Sequence, residues 1–224
     1  MLKLCQDCLK RALVGLVKVE LVDFNFDFQF DKPVIGVDEV GRGSWAGPVM
    51  AGAAFLNHKL PIEKRLNDSK RLTSKTRKEI FRSLSKNSIF GIGEVSNNEI
   101  DHIGILNATF KAMEIALTNL MKKKSIAQSI ILIDGTIMPK FNKNFDSEII
   151  LVKKGDALSP SIAAASIFAK CIRDDFMIKI DKKFSGYGFA TNMGYGTRQH
   201  REKLILTGPT QMHRMTFNPM RKLN

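Results

Sequence analysis

VIGVDEVGRGSWAGPV, the sequence of residues 34–49, joins an apolar run, two adjacent acids and a glycine-rich turn. The apolar run at 34–37 predicts a short buried strand that ends in Asp38 and Glu39. Carboxylate oxygens are preferred ligands of Mg²⁺, and the glycines of Gly41-Arg42-Gly43 let a backbone approach a ligand closely. An arginine between them offers a fork of donors suited to phosphate. Solvated acids in a tight turn would explain either feature alone, but the whole stretch favours metal and phosphate binding.

Composition places the chain among globular proteins with a preference for polyanions. Its 224 residues suffice for one substantial domain, and 44% hydrophobic with 25% charged residues is ordinary for a soluble fold. Lys and Arg number 35 against 22 Asp and Glu, a formal net charge of +13. Such a surface favours nucleic acid, although charge alone does not separate DNA, RNA, the ribosome or an acidic membrane surface.

The same composition argues against a membrane-spanning or disulfide-rich protein. No run is long and apolar enough to span a bilayer, and charged residues interrupt the first twenty positions, unlike a secretory signal. The three cysteines are too few for a disulfide framework, so we expect a reducing, cytoplasmic location. Cys5-x-x-Cys8 resembles half of a zinc motif whose second half is missing, so no zinc site is predicted.

Hydrophobic periodicity predicts an α/β protein with a mixed sheet. Short apolar or alternating runs predict strands at 21–30, 34–37, Val49–Leu56, 89–95, 129–133 and Glu148–Val152. Helical spacing predicts helices at 1–20, after Thr73 or Ser74, at 107–124, at 160–180 and at 197–206. Strands mixed with helices, without internal repeats, favour helices layered on a central sheet.

Two further acids occupy positions comparable to Asp38. Asp134 ends the apolar run at 129–133, and Asp156 stands shortly before a helix that begins at Ser159-Pro160. If the two strands are parallel neighbours, their carboxyl ends meet where α/β sheets place ligands. Clustered carboxylates repel one another unless cations lie between them, and two Mg²⁺ ions about 4 Å apart would activate water for attack on phosphorus. The alternative is a simple turn at Asp134 and a loop acid near a helix N-terminus at Asp156.

Six separated blocks together resemble bacterial ribonuclease HII, of the type 2 ribonuclease H family. In chain order they are VIGVDEVGRGSWAGPV, LNDSKRLT, LIDG, KGDALSPSIAAASIFAKCIRD, GYGT and GPTQMHRMTF, running from about residue 34 to about residue 218. The resemblance implies a ribonuclease H fold with a mixed sheet, flanking helices and a short helical C-terminal part. It implies hydrolysis of the RNA strand of RNA–DNA hybrids and nicking of DNA 5′ of a single embedded ribonucleotide, in ribonucleotide excision repair and primer removal.

The resemblance also implies roles for individual residues. Four acids would be the catalytic ligands of two Mg²⁺ or Mn²⁺ ions: Asp38, Glu39, Asp134 and Asp156. Gly41, Arg42 and Gly43 would inspect the 2′-hydroxyl through backbone groups, since this hydroxyl distinguishes RNA from DNA. Tyr195 would pack on the next sugar and disfavour a second 2′-hydroxyl. Phosphate contacts are expected from Lys70, Ser161 and Lys170, and the weaker candidates are Lys154, Arg173, His200, His213 and Arg214. The histidines more ordinarily serve as packing or capping residues, and Trp45 would ordinarily be a core residue.

The resemblance starts after an N-terminal stretch. Residues 1–32 have no counterpart in the family's blocks and form an extension of unknown role, whereas 33–224 form the catalytic domain, with a helical segment from about 185. The extension is too short for the substrate-binding N-terminal domain of ribonuclease HIII. The last eight residues show no clear clamp-docking peptide, and we expect a monomer.

Three other functions compete with a ribonuclease HII. A catalytically silent binding protein on the same fold would gain little from repulsive carboxylates that face phosphate. An enzyme of the ribonuclease HIII type would prefer long hybrids and would not cut at one ribonucleotide in DNA. A basic adapter with solvated acids would show no dependence on Mg²⁺.

Overall fold

The computed structural model of the chain describes residues 22–57 and 63–222. The helix predicted at 1–20, with Cys5 and Cys8, lies outside the described residues. Within the described part, a central sheet is covered on both faces by helices, which confirms the predicted α/β architecture with a mixed sheet.

The sheet has five strands in the order β3-β2-β1-β4-β5. They are β1 (Val34–Val40), β2 (Val49–Leu56), β3 (Ser88–Val95), β4 (Ile130–Asp134) and β5 (Glu148–Val152). The first three pair antiparallel, whereas β4 lies parallel to both β1 and β5. The carboxyl ends of β1, β4 and β5 therefore meet at one edge of the sheet.

Six α-helices and three short 3-10 turns belong to the described residues. The α-helices are α1 (Ser74–Asn87), α2 (Asn97–Ile103), α3 (Ile105–Lys123), α4 (Pro160–Asp181), α5 (Phe189–Asn192) and α6 (Arg198–Thr207). The 3-10 turns are Phe26–Gln29, Gly155–Ala157 and Met220–Lys222. The predicted caps are present, because Thr73 Oγ1 accepts from Thr76 N and Ser159 Oγ accepts from Ile162 N.

The alternation of side chains along β1 divides the core into two layers. Ile35 and Val37 pack with α3 on one face, and the other face is covered by the alanine-rich first half of α4. That half of α4 lies very close to the sheet, since a Cβ built on Gly36 would come within 2.1 Å of the Ser161 carbonyl carbon. A Cβ on Gly52 would come within 2.3 Å of the Ala165 oxygen. These glycines let α4 bring its polar side chains over the end of β1.

The strand predicted at 21–30 is wrong. The segment contains a 3-10 turn at Phe26–Gln29, although its alternation of phenylalanines suggested a strand. The intervening Asp27 is buried, accepting from the Ser159 hydroxyl at 2.6 Å and from the Ser161 N–H at 3.1 Å. The segment is thus shaped by a carboxylate that caps α4 from a distant part of the chain.

The C-terminal part forms its own hydrophobic cluster beside the sheet edge. Tyr187, Phe189, Leu204 and Met220 are buried there with Ala46, which follows the glycine turn of the opening stretch. The predicted short helical C-terminal part is confirmed, with α6 ending at Gly208 as expected. Within 22–57 and 63–222, none of the helices could cross a membrane.

The cap of α4 supplies a stability prediction. Replacing Asp27 with Ala leaves the buried Ser159 hydroxyl and the Ser161 N–H without their acceptor. We expect the free energy of unfolding, measured by urea titration, to fall by about 1–3 kcal/mol. Asp31→Ala, at an exposed position of the same segment, should change it by less than about 0.5 kcal/mol. Equal losses in the two variants would contradict the assigned cap.

Candidate active site

Three carboxylates converge at the edge where the parallel strands end. Asp38 lies on β1, Asp134 is the last residue of β4, and Asp156 lies in the 3-10 turn Gly155–Ala157 that follows β5. One carboxylate oxygen from each lies within 4.8 Å of the others. Because Val37 pairs with Ile133 in the parallel register, Asp38 and Asp134 follow on neighbouring strands and face the α4 side together.

Backbone hydrogen bonds hold this cluster in place. Asp38 Oδ1 accepts from the Glu39 N–H at 2.7 Å, and Asp134 Oδ1 accepts from the Gly155 N–H at 2.8 Å. The second bond ties the end of β4 to the turn that carries Asp156. The relative positions of these acids are therefore set by the backbone.

Glu39 stands apart from the three because successive residues of a strand face opposite sides of the sheet. Its side chain lines a shallow groove with Phe110 of α3 and with Asp134. Arg42 Nη1 lies 3.8 Å from Glu39 Oε1, which partly offsets its charge. Asp134 lines this groove and also belongs to the three-acid cluster, so Glu39 borders the cluster from the α3 side.

Burial raises the pKa of all four acids. Asp38 is affected most, because burial and then the nearby charges of Glu39 and Asp134 hold its pKa well above the usual range. For Asp156, burial and then the charge of Asp134 raise the pKa. Burial likewise raises the pKa of Glu39 and of Asp134, opposed by Arg42 and by the Gly155 N–H respectively. The cluster thus holds negative charges that repel one another in a poorly solvated place.

This donor set fits a divalent cation. Its possible ligands are all carboxylate oxygens, which suit Mg²⁺ and Mn²⁺. It contains no cysteine or histidine of the kind found in zinc sites. Asp38, Asp134 and Asp156 would hold the ion, with Glu39 at the margin. The alternative of a basic adapter with solvated acids does not fit Asp38 and Asp156, which are only 5% and 6% exposed.

A cleft of about 360 Å³ opens beside Asp38 and Glu39. Most of the predicted substrate-binding residues line it, namely Gly41, Arg42, Gly43, Lys70, Lys170 and Tyr195. Tyr195 is 41% exposed, and a Cβ built on Gly43 would lie 3.8 Å from its Cε1 atom. The glycine turn, Gly41–Gly43, and the loop that carries Tyr195 are far apart in sequence but together form one wall of the cleft.

The two lysines of the cleft differ in their availability. Lys70 is well exposed, and its Nζ lies 3.8 Å from Asp156 Oδ2. Lys170 instead donates from Nζ to Asp174 Oδ1 at 2.6 Å. Lys154 is exposed and precedes Asp156 in a left-handed conformation, with φ of 57°. Lys70 is accordingly the lysine best placed for a phosphate.

Ser161 does not reach this cleft. It is fully buried in the first turn of α4, where its N–H donates to Asp27. The structure therefore does not bring Ser161 to the other predicted substrate-binding residues, because the chain's own Asp27 occupies the start of this helix. No local pattern indicates that contact, which joins residues 134 positions apart.

Two serines of the cleft were missed in the sequence. Ser166 of α4 and Ser69 share a hydrogen bond of 3.0 Å between their hydroxyls, and both line the cleft. Ser166 also hydrogen-bonds Asp38 and opposes the rise of its pKa. The spacing of four residues between Ser166 and Lys170 in an alanine-rich helix could have indicated one shared polar face.

The remaining candidates are buried below the cleft. Arg173 and Arg214 are fully buried, and so, within 1%, are His200 and His213. Half-buried Trp45 packs beside His200, with ring centroids 5.3 Å apart. The interpretation of the histidines as packing residues agrees with this placement.

The sheet order and the acids at its parallel edge define a ribonuclease H-like protein. The family model described as Ribonuclease HII matches residues 35–220. Ribonuclease HII of Pelagibacter ubique is 46% identical over 192 residues, covering 86% of this chain and 99% of the relative. Ribonuclease HII of Zymomonas mobilis is 41% identical and covers 92% of this chain and 93% of the relative. The chain belongs to the ribonuclease HII family and is a ribonuclease H endonuclease.

Solved structures share the architecture. Ribonuclease H2 of Pyrococcus horikoshii has a TM-score of 0.67 at 27% identity, with 85% of this chain and 96% of that chain covered. A Bst-RNase HIII structure has a TM-score of 0.71 at 19% identity, covering 88% of this chain and 71% of that one. The second likeness concerns the fold alone.

The burial and mutual repulsion of the acids predict that removing one charge stabilises the metal-free protein. Because the folded-state pKa of Asp38 is raised, the metal-free protein loses stability as pH rises from about 4 through that pKa. Asp38→Asn removes the charge, so in EDTA at pH 7.5 its free energy of unfolding should exceed that of the unaltered protein. Thermal melts between pH 4 and pH 8 measure this gain and the expected weaker pH dependence.

A bound cation should relieve the same repulsion and therefore also stabilise the folded protein. Mn²⁺ should raise the Tm of the unaltered protein, because a ligand of the folded state stabilises it, and should raise that of Asp38→Asn much less. Asp31→Asn, at an exposed site, should retain the full Mn²⁺ response. An Asp38→Asn protein that is less stable in EDTA, with an unchanged Mn²⁺ response, would contradict the assigned site.

Proposed function

We propose that the protein hydrolyses the RNA strand of RNA–DNA hybrids and nicks DNA 5′ of a single embedded ribonucleotide. The products would carry a 3′-hydroxyl and a 5′-phosphate, and the activity would serve ribonucleotide excision repair and primer removal. The observation that carries the proposal is the shared cleft, which brings Asp38 and Glu39 beside Gly41–Gly43 and Tyr195. Cleaving groups and groups suited to a sugar therefore lie within reach of adjoining nucleotides.

The acids would hold two Mg²⁺ or Mn²⁺ ions. Support comes from the oxygen-only cluster and from a solved structure of Bst-RNase HIII in complex with Mn²⁺, a protein of the same fold. When bound, such ions supply a water activated at neutral pH and charge stabilisation for the attacking and leaving oxygens. Asp38, Asp134 and Asp156 would be the ligands, and Glu39 would complete the set from the other face of β1.

The residues around the acids would position the substrate backbone. Lys70, exposed at the cleft, can meet a phosphate, and the exposed Arg42 guanidinium beside Glu39 can do the same. Phosphate contacts of this kind fix register and orientation but carry no sequence information. The formal charge of +13 adds a general attraction for a duplex.

Recognition of the ribonucleotide would fall to the cleft wall. Gly43 is exposed beside the Tyr195 ring, and without a Cβ it lets a sugar approach the backbone. Backbone groups of Gly41–Gly43 would hydrogen-bond the 2′-hydroxyl, and the Tyr195 hydroxyl would reach it from the other side. The ring would pack on the next sugar and leave too little room for a second 2′-hydroxyl.

A DNA duplex with one ribonucleotide and a 5′ label tests this function directly. With Mg²⁺ we expect a single cut on the 5′ side of the ribonucleotide. An all-DNA duplex should stay intact, and Asp134→Asn should lose at least about 100-fold in rate because one ligand of the cluster loses its charge. Gel electrophoresis beside a sequence ladder identifies the cut site.

The other results separate the competing functions. Cleavage of a long RNA–DNA hybrid without a cut at the single ribonucleotide would indicate specificity of the ribonuclease HIII type. Binding without cleavage of either substrate, in Mg²⁺ and in Mn²⁺, would contradict the proposed function and indicate a binding protein on a nuclease fold.

A further inference from the structure

Two buried arginines lie beneath the glycine turn of the cleft. Arg173 and Arg214 are both 0% exposed, and among the described residues no carboxylate forms an ion pair with either. Burial, and for Arg214 also the charge of Arg173, lowers the pKa of both, to about 9 for Arg214. Arg214 remains a cation at neutral pH. Burying a cation without a carboxylate costs free energy that an apolar side chain of similar size would avoid.

All three guanidinium nitrogens of Arg214 donate hydrogen bonds to backbone carbonyls of the glycine turn and the residues after it. Its Nη2 donates to the Gly41 carbonyl at 2.7 Å, its Nη1 to the Arg42 carbonyl at 2.9 Å and its Nε to the Gly47 carbonyl at 3.0 Å. A lysine could not make these bonds together, since its ammonium is a single point donor without the planar fork. Gly41 has φ of +83°, and a Cβ there would come within 2.1 Å of Arg173 Nε, so this turn requires a glycine at that position.

These bonds determine where the next two N–H groups point. In a trans peptide unit, the carbonyl of one residue and the N–H of the next point in opposite directions. Since the Gly41 and Arg42 carbonyls are held inward by Arg214, the N–H groups of Arg42 and Gly43 point outward. Neither has a hydrogen-bond partner within the described part of the chain, and both residues are exposed in the cleft.

The turn that carries Arg214, which follows α6, also contacts the loop that carries Tyr195. His213 Nδ1 accepts from the Thr210 N–H at 2.8 Å, so the proton of neutral His213 is on Nε2. That proton is donated to His200 Nε2 at 3.0 Å, and His200 Nδ1 then donates to the Tyr195 carbonyl at 3.0 Å. Burial and the neighbouring His200 lower the pKa of His213 to about 4, so this chain of donors persists at neutral pH.

We propose that Arg214 is a positioning residue for ribonucleotide recognition, which turns the N–H groups of Arg42 and Gly43 toward the substrate's 2′-hydroxyl oxygen. The adjacent residues His213 and Arg214 thereby hold both parts of the cleft wall. His213 acts on the Tyr195 carbonyl through His200, and Arg214 binds the carbonyls of the glycine turn. This inference rests on the proposed function, because it presumes that the cleft receives the ribonucleotide.

Binding measurements in an inactive background test the proposal. In the Asp134→Asn protein with Mg²⁺, fluorescence anisotropy gives the Kd for a duplex with one ribonucleotide and for the matched all-DNA duplex. We expect Asp134→Asn to bind the ribonucleotide duplex more tightly. Adding Arg214→Lys should reduce this preference about tenfold, the effect of losing two modest hydrogen bonds, and should change the Kd for DNA less than twofold. Adding Arg198→Lys, the same change at an exposed position, should leave the preference intact.

Each other outcome decides against a stated part of the account. A preference that survives Arg214→Lys overturns the role of Arg214 and leaves the proposed function standing. An equal loss of affinity for both duplexes assigns Arg214 a merely structural role. Equal affinities already in Asp134→Asn, together with no cut by the unaltered protein, overturn the proposed function itself.

A second measurement applies even if Arg214→Lys does not fold. In ¹⁵N-labelled Asp134→Asn protein, the amides of Arg42 and Gly43 should exchange rapidly with solvent when free. They should become protected on adding the ribonucleotide duplex, and not on adding the all-DNA duplex. Amides that are protected before any nucleic acid is added would overturn the proposed orientation.

Discussion

The parallel pairing of β1 with β4 is the constraint on which the site depends. It places Asp38 and Asp134 side by side at strand ends, and the Gly155 N–H bond to Asp134 adds Asp156 to them. Helix α4 presses on this edge through Gly36 and Gly52, so the acids are partly removed from water. Their mutual repulsion is then strong, and a divalent cation between them would relieve it.

The cleaving and the recognising groups come from two different parts of the fold. Strands β1 and β4 and the 3-10 turn after β5 supply the acids, whereas the loop after α5 supplies Tyr195. The turn after α6 supplies His213 and Arg214. Buried hydrogen bonds from this turn run to the glycine turn and to the Tyr195 carbonyl. Groups that would recognise the sugar are therefore held by rigid contacts and lie beside the acids that would cleave.

Local patterns in the sequence were enough for the strands, most helices and the acids at the strand ends. They failed where a distant contact overrides local periodicity. Asp27 caps α4, a 3-10 turn replaces the strand expected at 21–30, and Ser161 lies buried away from the cleft. The buried position of Arg173 and Arg214 was also beyond local reasoning, since arginine is ordinarily a surface residue. Only the folded chain shows which backbone carbonyls accept hydrogen bonds from these guanidinium groups.

The most direct test of metal-held catalysis uses a ribonucleotide-containing duplex with a phosphorothioate at the scissile position. Sulfur replaces one non-bridging oxygen, and Mg²⁺ accepts sulfur poorly, whereas the softer Mn²⁺ accepts it better. If ions held by Asp38, Asp134 and Asp156 contact that oxygen, one diastereomer should be cut far more slowly than the normal substrate in Mg²⁺, and Mn²⁺ should restore much of the rate. An equal slowing in both metals, for both diastereomers, would contradict the account.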